Sequence, residues 1–195
     1  MSVDEDTVAR KRSLRRELLA QRRAIPPESR RALGAAVRDA VLTLPELVEA
    51  RTVTAYVSVQ AEPDTTALLE TLLARRRTVL LPITLPDMSL DWVAYEGPAS
   101  LHPAAHGLLE PRGTRLGADA VKEADLALLP ALAVDVSGLR MGRGGGCYDR
   151  VLATLPPDVL SCALCYDHEL LPRVPAEPHD RRVGAVATPS GTTRF

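Results

Sequence analysis

Apolar positions along this chain fall into two kinds of pattern. Short continuous runs rich in β-branched and aliphatic residues read as buried strands. They are TVTAYVSV at 52–59, TVLLPI at 78–83, the apolar part of ADLALLPALAVD at 124–135, LSCALCY at 160–166 and VGAVAT at 183–188. LDWVAY at 90–95 reads as a further, more exposed strand. Between them lie segments of helical period. Residues 4–24 open with acids and continue with bases, which suits the helix dipole, and carry a sparse apolar stripe of Val8, Leu14, Leu18 and Leu19. A second helix begins near Pro27, a third runs from an Asp64 cap to about Arg76, and a short one covers Cys147 to Leu155. The proline-rich stretches near 82–111 and 172–178 read as loops. Strands that are continuous rather than alternating, separated by helices, predict an α/β fold around a largely parallel sheet. A length of 195 residues predicts one domain over 1–195.

Composition narrows the function classes. A net charge of −1 disfavours a general nucleic-acid binder. No apolar run approaches the ~20 residues of a membrane span, and no signal-peptide core opens the chain, so a cytoplasmic location is expected. Three cysteines fit a reducing compartment. Cys162 and Cys165 form a lone CxxC inside an apolar strand, with no second ligand pair, and are expected as core residues rather than zinc ligands.

The chemistry concentrates in LRMGRGGGCYDR, residues 139–150. Glycine-rich backbone between a buried strand and a helix lets a phosphate approach the free N–H groups of the helix's first turn. Arg140 and Arg143 add charge-assisted donors. The loop lacks the Lys-Ser/Thr ending of a Walker A motif, and Cys147 stands where a dinucleotide GxGxxG needs its third glycine. Asp149, in the first helical turn, is either a Mg²⁺ ligand beside the phosphates or an acid complementing the dipole, and spacing alone does not choose. His179-Asp180, read alone, is a solvated loop pair. Lys11 and Arg15 share a helix face. That face reads as solvated, as a nucleic-acid contact or as a clamp on phosphates held by the glycine loop.

Together these stretches resemble the 5-formyltetrahydrofolate cyclo-ligase family. The residues that carry the resemblance are PALAVDVSGLRMGRGGGCYDR from Pro130 to Arg150, KRSLR from Lys11 to Arg15, YVSVQAEPDT with Glu62, GLLEP from Gly107 to Pro111, and His179-Asp180. The family's pattern has Leu at position 141, Tyr at 147 and Phe at 134, where this chain has Met141, Cys147 and Val134. The resemblance implies a three-layer α/β/α sandwich of the ribose-isomerase and CoA-transferase type. It implies an ATP- and Mg²⁺-dependent closure of 5-formyltetrahydrofolate, which can carry a polyglutamate tail, to 5,10-methenyltetrahydrofolate, with release of ADP and phosphate.

It also implies site residues. Lys11, Arg15, Arg140, Met141, Gly142, Arg143, Gly144, Gly145, Gly146, Cys147 and Tyr148 would hold ATP. Val57 and Glu62, with Arg143, Gly144, Gly145, Gly146 and Cys147, would hold the folate. Arg140, Arg143 and Tyr148 would act on the reacting groups, and Asp149 and Asp180 would hold Mg²⁺. A monomer is expected. Cys147 motivates one alternative, a catalytically weakened relative that binds nucleotide or folate in a regulatory role.

Overall fold

The computed structural model describes residues 5–195. Its helices are α1 Glu5–Ala24, α2 Pro27–Val41, α3 Pro45–Glu49, α4 Thr66–Ala74 and α5 Cys147–Thr154. Its strands are β1 Thr52–Thr54, β2 Thr78–Thr84, β3 Leu90–Ala94, β4 Leu101–Pro103, β5 Leu109–Pro111 and β6 Leu126–Pro130. They continue with β7 Ala133–Asp135, β8 Arg140–Met141, β9 Leu160–Leu164, β10 Leu170–Leu171, β11 Ala185–Thr188 and β12 Gly191–Arg194.

The continuous apolar runs form the middle of a seven-stranded sheet of order β12-β11-β9-β6-β1-β2-β3. The pairings from β11 through β2 are parallel, and only the edge strands β12 and β3 run antiparallel. Both faces of this sheet are covered, which is why its strands carry apolar residues at consecutive positions. In β6, Leu126 and Leu128 pack with α2, α3 and α4 on one face. Ala127 and Leu129 turn to the other, where Tyr148, Leu152 and Leu155 pack from the α5 side. Next to them Val151 of α5 and Val121 of a 3₁₀ segment, Ala118–Glu123, cover Leu80, Leu90 and Trp92. This is the expected three-layer arrangement, with one thin layer. Each fully buried leucine, such as Leu72, Leu81 or Leu128, contributes about 1.5–3 kcal/mol.

Helix α1 stands outside those layers. It packs through Leu14, Leu18 and Leu19 on a small sheet of order β10-β7-β8. Its buried residues are Lys11, Leu18 and Arg22, while Val8 of the expected stripe is exposed. Helical period was thus legible, but two of the three positions it turns inward are cations with buried partners. Asp4, which opened the expected helix, lies outside the described residues.

Other expectations are corrected. The strand expected over 52–59 pairs in the sheet only over Thr52–Thr54. Beyond that the chain diverges from its neighbours, held by Thr65, whose hydroxyl donates to the Tyr56 carbonyl and accepts from the Ser58 N–H. Thr65, not Asp64, takes the cap position of α4, and Asp64 accepts from the Thr66 N–H two residues on. The run 124–135 is divided between β6 in the large sheet and β7 in the small one. β3, expected to be more exposed, is buried, with Trp92 1% exposed, because the 3₁₀ segment and α5 cover it. The proline-rich stretch contains the β4–β5 hairpin. VGAVAT is followed by β12, whose GTTR sequence has no apolar pattern and is held as a strand by its ladder to β11.

Strand order places the ligand crevice. From β1 the chain moves to β2 on one side, while β6 leads through β9 to β11 on the other. The loops leaving the carboxyl ends of adjacent β1 and β6 therefore part, and such a switch point opens a crevice.

Candidate functional site

A cavity of about 510 Å³ lies in that crevice. Tyr56, Val57, Val59 and Glu62 enter from the loop after β1, and Pro130, Ala131 and Leu132 from the turn after β6. β8 and the N-terminus of α5 deliver a continuous wall from Arg140 to Asp149, and Asp180 and Glu177 close the far side. The volume falls within the range of small-molecule sites.

The glycine loop is shaped by what passes under it and by how it ends. A Cβ at Gly142 would stand 2.8 Å from Nη1 of Arg140, so any side chain there would push the guanidinium out of its present place under the loop. Gly146 caps α5 in the left-handed region at φ 68°, which lets the chain turn from loop to helix in one residue. The result is a helix N-terminus whose free N–H groups face the cavity wall, a ready anion site.

Three arginines surround the loop. Arg15 reaches over from α1, and its Nε–H donates to the Gly142 carbonyl at 3.0 Å. Arg140 is 3% exposed and pairs with Asp149 at 2.9 Å, while its Nε is buried without a hydrogen-bond partner among the described residues. Arg143 donates to the Gln60 side chain at 2.9 Å and lies 3.9 Å from the Glu62 carboxylate. Arg150 fixes the opposite lip, donating to the Met88 carbonyl at 2.5 Å and so holding the turn between β2 and β3 against α5.

The acids divide into two groups. Glu62 is 8% exposed; burial pushes its carboxyl above the ordinary range, partly offset by the Val59 N–H it accepts and by nearby Arg22 and Arg143. Asp149, Glu177 and Asp180 line the same cavity. Asp180 is buried rather than solvated, with a side chain 7% exposed. It accepts from the Glu177 N–H at 2.6 Å and from Lys11 Nζ at 2.5 Å, and Lys11 also donates to Glu177 at 2.7 Å. Glu177, His179 and Asp180 offer ligand atoms that all lie within 4.8 Å of one another. A donor set dominated by carboxylate oxygen suits a hard dication such as Mg²⁺.

Of the expected site residues, Arg15, Val57, Glu62, Asp180 and every position from Arg140 to Asp149 line the one cavity. Lys11 does not line it: its ammonium sits behind the wall on Glu177 and Asp180. The solvated reading of the face shared by Lys11 and Arg15 is thereby overturned: Lys11 is buried on two carboxylates and Arg15 reaches the glycine loop. Tyr148 is partly buried, and burial raises its phenol well above the usual range, so it offers a hydrogen bond rather than a titrating proton. Cys147 lines the cavity and packs against the cluster around Trp92. Cys162 and Cys165 are fully buried core residues, as expected, with burial pushing the Cys162 thiol up to about 12. The sequence reading missed Glu177, three residues before Asp180, and the wall residues Tyr56 and Met88. It also missed the buried pair of Arg22 and Glu169. A carboxylate in a proline-rich loop and an arginine in a basic helix carry no local signal of this.

The arrangement can therefore hold an anion on the glycine loop, a hard cation beside it and a flat, largely apolar group against Val57, Leu81, Leu90 and Leu109. The model of the 5-formyltetrahydrofolate cyclo-ligase family matches residues 7–189. A 5-formyltetrahydrofolate cyclo-ligase of Mycolicibacterium smegmatis is 43% identical over 184 residues, covering 92% of this chain and 93% of its own. The Escherichia coli protein of that name is 30% identical over 173 residues, covering 87% and 95%. Among solved structures, a 5,10-methenyltetrahydrofolate synthetase of Aquifex aeolicus superposes with a TM-score of 0.81 at 28% identity, over 94% of this chain and 92% of the other.

Proposed function

The chain belongs to the 5-formyltetrahydrofolate cyclo-ligase family, and on that premise we propose that its cavity closes 5-formyltetrahydrofolate to 5,10-methenyltetrahydrofolate at the expense of ATP. The observation that carries the reading is the single cavity in which the glycine loop, Arg15, Arg140 and Arg143 face one ligand half and an apolar wall with Glu62 faces the other. The formyl oxygen is a poor leaving group. It would take the terminal phosphoryl group of ATP as ADP leaves, N10 would close onto the activated carbon and give up its proton, and phosphate would depart. The protein's part is positioning and charge stabilisation.

The residues divide the work as follows. The N–H groups of Gly144 to Cys147 and the α5 N-terminus cradle phosphate oxygens. Arg140 is held in place by Asp149, and its unpartnered Nε leaves one donor to satisfy. Arg140 and Arg143 neutralise charge on the transferring group. Met141 and Gly142 fix the strand end from which the loop starts. Tyr148 donates a hydrogen bond at the boundary of the two halves. Glu62 and Val57 seat the folate, with the Glu62 carboxyl, raised by burial, able to pair with ring nitrogens. Asp180, with Glu177 and His179 converging beside it, would hold Mg²⁺, which when bound neutralises phosphate charge; Asp149, the other expected ligand, stands outside that group and is paired with Arg140. This reading takes the chain as one domain over 1–195, acting as a cytoplasmic monomer on a folate that can bear a polyglutamate tail. No helix among the described residues is long and apolar enough to cross a membrane.

The test is a near-ultraviolet assay for the methenyl product with purified protein, (6S)-5-formyltetrahydrofolate, ATP and Mg²⁺. Product that requires both ATP and metal is expected, with kcat lowered about 10²–10³-fold in Arg140→Met, the cost of removing one donor to developing charge. Absence of product at saturating substrates, or an unimpaired Arg140→Met enzyme, would refute the assignment.

A further inference from the structure

One contact is not explained by phosphate binding. Lys11 is 2% exposed, and its ammonium is inserted between two carboxylates, 2.7 Å from Glu177 and 2.5 Å from Asp180. The same two carboxylates, with His179, are the described residues whose ligand atoms converge closely enough for a metal ion. The site therefore already contains a cation, supplied by the first helix.

The two cations cannot share it at full strength. A metal bound to the Asp180 oxygen at about 2.1 Å would stand within about 5 Å of an ammonium that keeps its present contact with that oxygen. Two positive groups at that separation, in a largely buried setting with low screening, repel strongly. Asp180 Oδ2 also accepts from the Glu177 N–H, so the oxygen has little capacity left while Lys11 holds it.

We propose that Lys11 and a divalent cation are alternative counter-ions of Glu177 and Asp180, so that Lys11 leaves Asp180 when the metal enters. Without metal, Lys11 ties α1 to the 172–180 loop and keeps a buried acid pair neutralised. With metal, the ammonium is released on the side of the cavity where phosphate charge arrives. Metal entry and the arming of α1 thus become one event, and Glu177 becomes a site residue in both states. The inference rests on the reading that a divalent metal acts at Asp180.

The chain offers a direct readout, because it has only two lysines, Lys11 and Lys122. Lys122 is partly exposed on a 3₁₀ segment, paired with Asp119, and serves as an internal reference. The full-length protein is treated with an amine-acetylating reagent, with and without Mn²⁺ and without nucleotide, and labelling is read at each peptide. Labelling of Lys11 is expected to rise with Mn²⁺ while Lys122 stays constant. In parallel, free Mn²⁺ is counted by electron paramagnetic resonance. Lys11→Met is expected to bind Mn²⁺ about tenfold or more tightly than the unmodified chain, since a unit charge some 5 Å from the ion is gone. Adding Glu177→Gln to Lys11→Met should weaken Mn²⁺ binding again, because one of the two carboxylates is gone.

Mn²⁺ binding with no change at Lys11 and no gain in Lys11→Met overturns the competition while leaving a metal site in place. A Lys11→Met/Glu177→Gln protein that binds Mn²⁺ as tightly as Lys11→Met overturns the assignment to this pair. Absence of Mn²⁺ binding in both proteins overturns the proposal together with the metal reading on which it rests.

Discussion

Replacing Arg22 by methionine tests how α1 is fixed to the body that carries the site. Arg22 is 1% exposed, and its guanidinium donates to both oxygens of Glu169, at 2.5 and 2.8 Å, and to the Ala131 carbonyl at 2.5 Å. Glu169 is 0% exposed and otherwise accepts from the Tyr166 N–H at 2.9 Å. Methionine fills most of the volume but leaves the Glu169 carboxylate buried beside a single N–H donor. Breaking a buried pair on one side costs about 3–5 kcal/mol. For a chain of this length each kcal/mol lowers Tm by about 2–4 °C, so a fall of roughly 6–20 °C is expected. Urea and thermal unfolding followed by circular dichroism measure it. The double variant Arg22→Met/Glu169→Gln removes the stranded charge and keeps an acceptor for Tyr166, so it should recover more than half of the loss. A single variant that loses less than about 1 kcal/mol, or a double variant whose loss equals the sum of the two singles, would show that the pair is not a coupled clamp.

Two further outcomes follow from packing and from linkage. Gly34→Ala in α2 places a Cβ 2.4 Å from the Asp64 carbonyl oxygen and 2.7 Å from its Cβ. Backbone must move, so urea unfolding should show a loss of about 1–3 kcal/mol despite the better helix propensity of alanine. The Glu62 carboxyl is held above its ordinary value of 4.5 by burial, so the folded state holds its proton more tightly than the unfolded chain. Its contribution to stability therefore falls as pH rises from that ordinary value through the raised one. Glu62→Gln should gain stability relative to the native chain over that rising range and equal it at lower pH, while raising KM for the folate. A stability difference that is flat with pH would contradict the burial argument.

Several features were legible from residues alone because their causes are local or periodic. Continuous apolar runs marked both-face burial, which is how β6 and β9 occur. The cap chemistry around Pro27 marked α2. The glycine and arginine density of 139–150 marked a backbone built for close anion approach; Val57, Glu62 and Asp180 were tied to it only by the resemblance to the family. The departures from expectation share a different cause. β3 is buried because α5 and a 3₁₀ segment happen to cover it. β12 is a strand because β11 offers a free edge. Thr65, rather than Asp64, stands at the start of α4, with its hydroxyl engaged by the distant Tyr56 and Ser58 backbone instead of by the helix.

The same division runs through the site. Sequence by itself determined the α/β class, the phosphate-type loop and the arginines able to meet an anion. Those follow from backbone freedom, charge and periodicity, which each residue carries with it; the cation and the flat ligand were expected only through the family resemblance. Only the tertiary structure decided that Lys11 faces Glu177 and Asp180 instead of the cavity, 166 and 169 positions away along the chain. It alone decided that Arg22, one base among many in α1, is sealed against Glu169. Which charges meet, and at what depth from water, is set by the crossing of distant segments, and the energy of a charge depends on that depth more than on its neighbours in sequence.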